Sequence, residues 1–476
     1  MEQTDPSKKQ TLVMKFGGTS VGNAEAMFQV AQIVKDAQED WSDILIVTSA
    51  MAGVTNLLLE TVHQAIAGQQ EEVNQTVQQM MEKHLAILDP LPLPLMQKEQ
   101  TALEINQLTE ELRETCKAIS ILREASPRTW DAVASMGERL AVRILSAVLT
   151  SQNIRACSVD STRLIITDDA FQNALPDFMA TNDQCEKNLQ PLLSKGYTPV
   201  ITGFLGATPD GVITTLGRGG SDYSAAILSS AMNANEVWIW TDVDGVMSAD
   251  PRLVANARTI PELTFREVAE LAYYGAKVLH PKTIRPIIES EIGLRVCNTF
   301  NPQHPGTRLV SSRIIKKGGI KAVTAIRDVD LLSIEGRGML GVPGVAARTF
   351  SAVAETGTSV PMITQSSSEQ TITFAVPQHS SAKVIAALEK AFANEIQRRD
   401  IDSVSKTGSA AIVTIVGAGM AHTAGISGKI FSALGNAGVN VIAIAQGSSE
   451  VSISLVVCEQ DLQKAVHAIH ALIVND

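Results

Sequence analysis

The sequence predicts an α/β protein: a mostly parallel sheet covered by helices on both faces, followed by two smaller split βαβ units. Three observations carry this. Short, continuously apolar runs at 12–16, 44–47, 200–204, 237–240 and 294–297 have the character of strands buried on both sides. Amphipathic stretches at 24–37, 129–149, 224–231 and 265–274 fall between them, and strands that alternate with helices imply parallel pairing. The last third of the chain then repeats one order of elements, strand, glycine-rich loop, helix, strand, strand, with Gln-x-Ser-Ser-Glu ending a strand-like run in each copy.

Taken in order, the first run ends in KFGGTS (15–20), where Lys15 precedes Gly17, Gly18 and Thr19. Glycines let the backbone approach a phosphate chain closely. The lysine comes before the glycines rather than after them, so this is not a Walker A loop. The second run leads into SAMAGVTN (49–56), in which Thr55 either donates to a substrate carboxylate or caps the next helix. Residues 56–124 are rich in Gln, Glu and Leu and are broken only by the proline-bearing stretch 89–94. That segment reads as a helical excursion with a packing or subunit-contact role.

In the helix expected over 129–149, SMGERL (135–140) sets Glu138 and Arg139 among apolar residues. A surface ion pair is the ordinary reading; Glu138 recognising a substrate amino group is the sharper one. The densest patch is TLGRGGSDY (215–223). Arg218 suits a bidentate clamp on a carboxylate, the glycines allow close approach, and Ser221 with Asp222 opens a helix, for which Asp222 as a mere N-cap is the alternative reading. The run 237–240 ends in Thr241, Asp242 and Asp244, a position that suits a nucleotide loop and lacks the terminal glutamate of a calcium loop. Lys277 stands near a helix end, where it meets phosphate or complements the dipole.

A charged, glycine-bearing stretch at 311–319 suits a domain link. At 476 residues the chain is too long for one ordinary core. A net charge of -11 argues against nucleic-acid and anionic-membrane partners. No apolar run approaches membrane-spanning length, the first ten residues are polar and mixed in charge, and the five cysteines form no C-x-x-C pair. A cytoplasmic protein with reduced thiols is expected.

Seven runs in order, KFGGTS, SAMAGVTN, SMGERL, TLGRGGSDYSAA, WTDVDGV, ADPR and GAKVLHP, closely resemble the aspartate kinase family of the amino acid kinase superfamily. The C-terminal repeat resembles its two ferredoxin-like (βαββαβ) ACT domains. The resemblance implies an αβα-sandwich catalytic domain over 1–313, with the excursion at 56–126. It further implies a first ACT unit over 314–400, whose 317–327 strand is lent to the second, and a second unit over 401–476. The implied reaction moves the γ-phosphoryl group of ATP to the β-carboxylate of L-aspartate, giving 4-phospho-L-aspartate and ADP. That step opens the synthesis of lysine, threonine, methionine and isoleucine. Since the chain stops at Asp476, the resemblance implies a monofunctional kinase without a fused homoserine dehydrogenase.

By the same resemblance, Lys15 neutralises the transferring phosphoryl group, and Gly17, Gly18 and Thr19 line the phosphate site. Thr55, Glu138, Arg218 and Ser221 hold aspartate, while Asp222 orients lysine or metal groups. Thr241, Asp242, Arg252 and Lys277 contact the nucleotide, with Met247 on the adenine side where relatives commonly carry tyrosine. Magnesium comes with ATP, held by phosphates and water, so no residue is assigned as a metal ligand. The effector site is expected around Met339, Gly341, Gly344, Val345, Gln365 and Gln446. Pro361 occupies the place of an aspartate found in lysine-inhibited relatives, which favours threonine over lysine. A homodimer or homotetramer through the ACT sheets is expected. Two other readings stay open: an ACT-regulated kinase for a different carboxylate, and a non-catalytic ACT amino-acid sensor.

Overall fold

A computed structural model describes residues 10–276, 279, 281–310, 319–339, 342–366 and 370–475. The chain forms two compact units. The first runs to Val246 and includes Pro261–Phe265 and Leu279–Val310; the second takes Met247–Ile260, Arg266–Val278 and Ser311–Asp476.

The first unit begins with β1 (Thr11–Phe16), α1 (Ala24–Ala37) and β2 (Asp43–Thr48). Both strands are buried along nearly their whole length, so neither shows the alternation of a one-sided strand. α1 starts cleanly because the Asn23 side chain accepts from Ala26 N, supplying one of the orphan end donors a partner. The excursion forms as three helices, α2 (Val54–Ala67), α3 (Gln70–Leu88) and α4 (Leu95–Leu122), and the prolines at 90, 92 and 94 keep the last two apart. Val62, Val77, Met80 and Leu112 bury their apolar faces in the same core that backs β1 and β2.

The helix expected over 129–149 is instead two, α5 (Pro127–Ala134) and α6 (Met136–Ser151), interrupted at Ser135. Next come β3 (Ala156–Val159), α7 (Phe178–Ser194), β4 (Thr198–Thr202), the small hairpin of β5 (Leu205–Ala207) and β6 (Ile213–Thr215), and α8 (Gly220–Ala231). β4 ends before the expected residue 204, because Phe204 takes φ 70°, which no extended strand accommodates. β7 (Glu236–Thr241), β8 (Glu262–Thr264), α10 (Pro281–Glu289), β9 (Gly293–Asn298) and β10 (Thr307–Val310) follow, while α9 (Phe265–Tyr273) belongs, after its first residue, to the second unit.

The sheet order is β3-β4-β2-β1-β7-β9-β10-β8, parallel throughout except where β10 meets β9. From β1 the chain first builds outward through β2, then crosses back to add β7 on the other side. Such a reversal leaves a crevice at the carboxyl ends of β1 and β7.

In the second unit, two long antiparallel strands, β11 (Ala322–Glu335) and β14 (Ser403–Val416), form the middle of a six-stranded sheet. The remaining elements are α11 (Val345–Glu355), β12 (Met362–Gln365), β13 (Thr371–Pro377), α12 (Ser381–Ala391), α13 (Ala393–Arg398), α14 (Ile426–Asn436), β15 (Ala443–Gln446), β16 (Ser452–Cys458) and α15 (Leu462–Asn475). The order is β12-β13-β11-β14-β16-β15. The start of β11, Ala322 to Ile326, pairs with β14 alone, whereas its second half, from Val329, lies between β14 and β13. Two apolar clusters sit under the helices, one built on Ile415, Ile430 and Ile469, the other on Leu332, Phe374 and Leu388.

The link expected at 311–319 lies, but for its last residue, outside the described residues. All five cysteines are unpaired. No described helix is long and apolar enough to cross a membrane.

Candidate active site

Lys15 lies on β1 between Val47 of β2 and Ile239 of β7, one residue short of the carboxyl end. Only 9% exposed, its ammonium sits 2.5 Å from Asp222 Oδ1. Asp222 is not the helix cap. α8 opens on Gly219 in the left-handed region, φ 72°, with no side chain closing the end, so the carboxylate in the first turn is directed to Lys15, where the helix dipole also favours a negative charge. Thr55 is no cap either: the N-cap of α2 is Gly53, φ 84°.

Glu138 stands in the first turn of α6, 4% exposed. Its Oε1 accepts from Ala50 N at 3.1 Å, and Oε2 has no hydrogen-bond partner among the described residues. Burial pushes this carboxyl up to about 7. Gly137 explains how it gets there. A Cβ at that position would meet Ala50 Cβ at 2.7 Å, so the glycine lets the first turn of α6 press on the loop after β2. The neighbouring Arg139 turns away, to Glu111 and Asp160, which is the surface pairing that the sequence suggested for both charges.

Lys15, Thr55, Glu138, Ser221 and Asp222 therefore line one cavity of about 280 Å³, together with Gly217, Gly219 and Gly220. Two further lining residues were not singled out from the sequence, Ser49 and Phe204. Ser49 sits inside a recognised motif; Phe204 carries no signal at all, since only its left-handed backbone marks it. Arg218 is exposed and is not among the cavity-lining residues.

Around the Lys15 turn, Gly17 N donates to Trp240 O at 3.1 Å, fastening the ends of β1 and β7, and Phe16 stacks on Trp240. At Gly18 a Cβ would approach Ala50 O to 2.9 Å, so this glycine is needed for close packing. Thr19 is exposed, while Ser20 is buried on Thr299 at 2.7 Å. Beyond β7, Thr241 Oγ1 donates to Asp242 Oδ1 at 3.2 Å, and Asp244 accepts from Asn298 and Asn301. Those asparagines were also missed, because nothing in sequence links them to residue 244.

Met247 and Arg252 belong to the second unit. Met247 bridges to Thr259, whose hydroxyl faces its sulfur at 3.6 Å, and exposed Arg252 pairs with Asp250 at 2.7 Å. Lys277 lies outside the described residues, as does Gly341. Also in the second unit, Met339, Gly344, Val345 and Gln365 line a cavity of about 390 Å³ with Val342 and Pro343. Gln446 is on the edge strand β15, apart from that lining. Among the described residues no group of three His, Cys, Asp or Glu side chains is arranged to hold a metal ion.

Residues 10–298 match the amino acid kinase family, and 332–392 and 413–472 match ACT domains. The chain belongs to the amino acid kinase family and carries a tandem ACT pair. Within that family its relatives are aspartokinases. It is 35% identical to aspartokinase 1 of Arabidopsis thaliana, over 97% of this chain and 79% of that protein. It is also 35% identical to the bifunctional aspartokinase/homoserine dehydrogenase of Daucus carota, over 96% of this chain and 50% of that protein. The chain thus spans about half the length of such bifunctional relatives. Among solved structures, Escherichia coli aspartokinase III superposes with a TM-score of 0.79 in complex with aspartate and ADP, at 29% identity, covering 98% of this chain and 100% of that one. Its complex with lysine and aspartate superposes at 0.77, with 30% identity over 97% and 99%.

Proposed function

We propose that this chain is an aspartate kinase, transferring the γ-phosphoryl group of ATP to the β-carboxylate of L-aspartate. The observation that carries the reading is the single cavity that joins the Lys15–Asp222 ion pair to the buried, half-unpartnered carboxylate of Glu138. A carboxylate acceptor is already ionised at neutral pH, so the site has no proton to remove; it must hold two anions in line and neutralise charge. Lys15 does the second task at the phosphoryl oxygens, and Asp222 holds its ammonium in place. Thr55 and Ser221 donate to the acceptor, with Arg218 reaching in from its exposed loop. The unpaired Oε2 of Glu138 takes the α-ammonium. A substrate acylated on nitrogen has no such group, and this favours aspartate over N-acylated acceptors.

Gly17, Gly18 and Thr19 then line the phosphates, with Thr241, Asp242, Met247, Arg252 and Lys277 assigned to the nucleotide. Magnesium would shield phosphate charge when bound. The hydroxyl and carboxylate oxygens of Ser49, Ser221 and Asp222 suit it as partners of its waters, since this ion keeps most of its shell as phosphate oxygen and water. The ACT cavity is assigned to a feedback effector. Threonine is favoured because Pro361 offers no carboxylate to the side-chain ammonium of lysine, the ligand in one E. coli relative. Assembly into a homodimer or homotetramer through the ACT sheets is supported by exposed Ile363 and Ile444 on the edge strands β12 and β15. Five unpaired cysteines suit a reducing compartment such as the cytoplasm.

The test is ADP release from the purified protein with ATP, Mg2+ and a panel of amino-acid acceptors, repeated while threonine and lysine are titrated separately and together. Aspartate as the preferred acceptor, with inhibition by threonine, is the expected result. Preference for another acceptor overturns the substrate, and inhibition by lysine alone overturns the effector.

A further inference from the structure

Asp131, on α5, is 1% exposed, and no ion pair is found for it among the described residues. Three donors converge on its carboxylate instead. Oδ2 accepts from Gln172 N and Thr215 N, both at 2.9 Å, and Oδ1 accepts from Thr215 Oγ1 at 2.8 Å. A buried carboxylate with no cation is costly unless hydrogen bonds saturate it, and burial does raise this carboxyl above its ordinary value despite all three bonds.

What those bonds hold is specific. Thr215 is the last residue of β6, and the loop after it, with Gly217 and Arg218, leads directly into the first turn of α8, which bears Ser221 and Asp222. Gln172, at φ 68°, belongs to a turn on which that loop rests: a Cβ on Gly217 would meet Gln172 O at 3.0 Å and Asn173 Oδ1 at 2.9 Å. Ala174 N closes the arrangement by donating to Thr215 O at 2.9 Å. On the other side, α5 passes through Ser135 directly into α6, whose first turn bears Glu138. One side chain thus ties the start of the Asp222 loop to the helix pair that delivers Glu138.

We propose that Asp131 is a positioning residue for aspartate binding, fixing the distance between the Ser221–Asp222 wall of the cavity and Glu138. It touches no substrate. This rests on the aspartate kinase reading, and the experiment separates the two. Asp131→Ala removes the acceptor of both backbone N–H groups and of the Thr215 hydroxyl. Asp131→Asn, which can turn its carbonyl oxygen to the two N–H groups and its amide to the hydroxyl, an acceptor as well as a donor, is the conservative control and should stay near wild type. Amide hydrogen exchange followed by mass spectrometry is compared with wild type in peptides covering 170–174 and 213–222, and in β1 and β2 as controls. Steady-state kinetics are measured with aspartate and with ATP as the varied substrate.

The expected result is faster exchange in the two loop peptides with controls unchanged, and an aspartate KM raised roughly tenfold or more while the ATP KM moves less than about twofold, as loss of a geometry used by one substrate requires. Thr215→Val, which deletes one donor and keeps the backbone bond, gives a smaller shift in the same direction, and its effect is not additive with Asp131→Ala. Unchanged exchange at 213–222 overturns the proposal, as do equal rises in both KM values or unchanged kinetics. Should Asp131→Ala fail to fold, Thr215→Val alone decides by the same criteria. Should wild type not phosphorylate aspartate, the substrate reading fails, and the exchange comparison still decides whether Asp131 holds the loop.

Discussion

Lys15 Nζ and Asp222 Oδ1 stand 2.5 Å apart, across a separation of two hundred residues in sequence, and tie the central strand β1 to the first turn of α8. The pair gives the lysine a fixed place at the mouth of the crevice. Lys15→Ala should lower turnover by about a hundredfold or more, as removal of a charge-stabilising donor does, with near-UV and far-UV circular dichroism unchanged. Asp222→Ala should fall nearly as far, because the ammonium is then free to leave its place. Near-normal turnover in either folded variant would remove these roles.

Glu138 supplies a pH signature. With its carboxyl pushed up to about 7 by burial, the free protein carries it largely protonated below that pH, whereas a bound ammonium favours the ionised form. Aspartate KM should therefore fall as pH rises through about 7 and flatten above it. Glu138→Gln should abolish that dependence and raise KM at every pH. The stability sign runs the other way. A raised native pKa stabilises the unliganded fold below the ordinary carboxyl range, and that contribution is lost as pH rises through about 7. Thermal shift by aspartate should consequently be larger at pH 8 than at pH 6.

In the second unit, Gln365 and the left-handed Gly344, φ 90°, border the 390 Å³ cavity. Gln365→Ala should raise the concentration of threonine needed for half-inhibition by roughly tenfold, about the worth of one well-made polar contact, and leave the uninhibited rate unchanged. Inhibition curves that superimpose on wild type would exclude the glutamine from the effector site.

The fold's central strands were legible because burial on both faces leaves an unbroken apolar run, as in β2. β3, β5, β6, β8 and β10 were not, being three or four residues long, too short for any period to register. The break at Ser135 was hidden for another reason. Its residue has ordinary helical angles, φ -62° and ψ -24°, so propensity gives no warning. Within the cavity, the motif residues were readable one at a time, each against a plausible cap or surface pair. Only the three-dimensional arrangement removed those alternatives, by showing Gly53 and Gly219 as the caps. Asp131 and Phe204 had no legible signal, since their roles depend on donors and backbone angles far away in sequence.

Glu267 gives a stability test confined to the second unit. Fully buried, it accepts from Ala418 N at 2.6 Å and pairs with Lys321 at 3.0 Å. Glu267→Ala strands a buried amide, while Lys321, 35% exposed, can turn to water. A loss of about 1–3 kcal/mol is expected by chemical denaturation. A change below about 0.5 kcal/mol, the usual size for a surface substitution, would show that the contact is not held in solution.

β11 and β14 each span fourteen residues and lie side by side through both halves of the regulatory sheet, with register shifts between Ile326 and Leu331. Dividing the chain between the two ACT repeats separates β11 from β14 and so parts the central ladder of the sheet. For protein engineering this makes the pair a single interchangeable part. Exchanging effector specificity with a relative by recombination requires crossover points outside both strands, with 322–335 and 403–416 inherited from the same parent. A chimaera that mixes them should accumulate as aggregate rather than as enzyme with altered feedback.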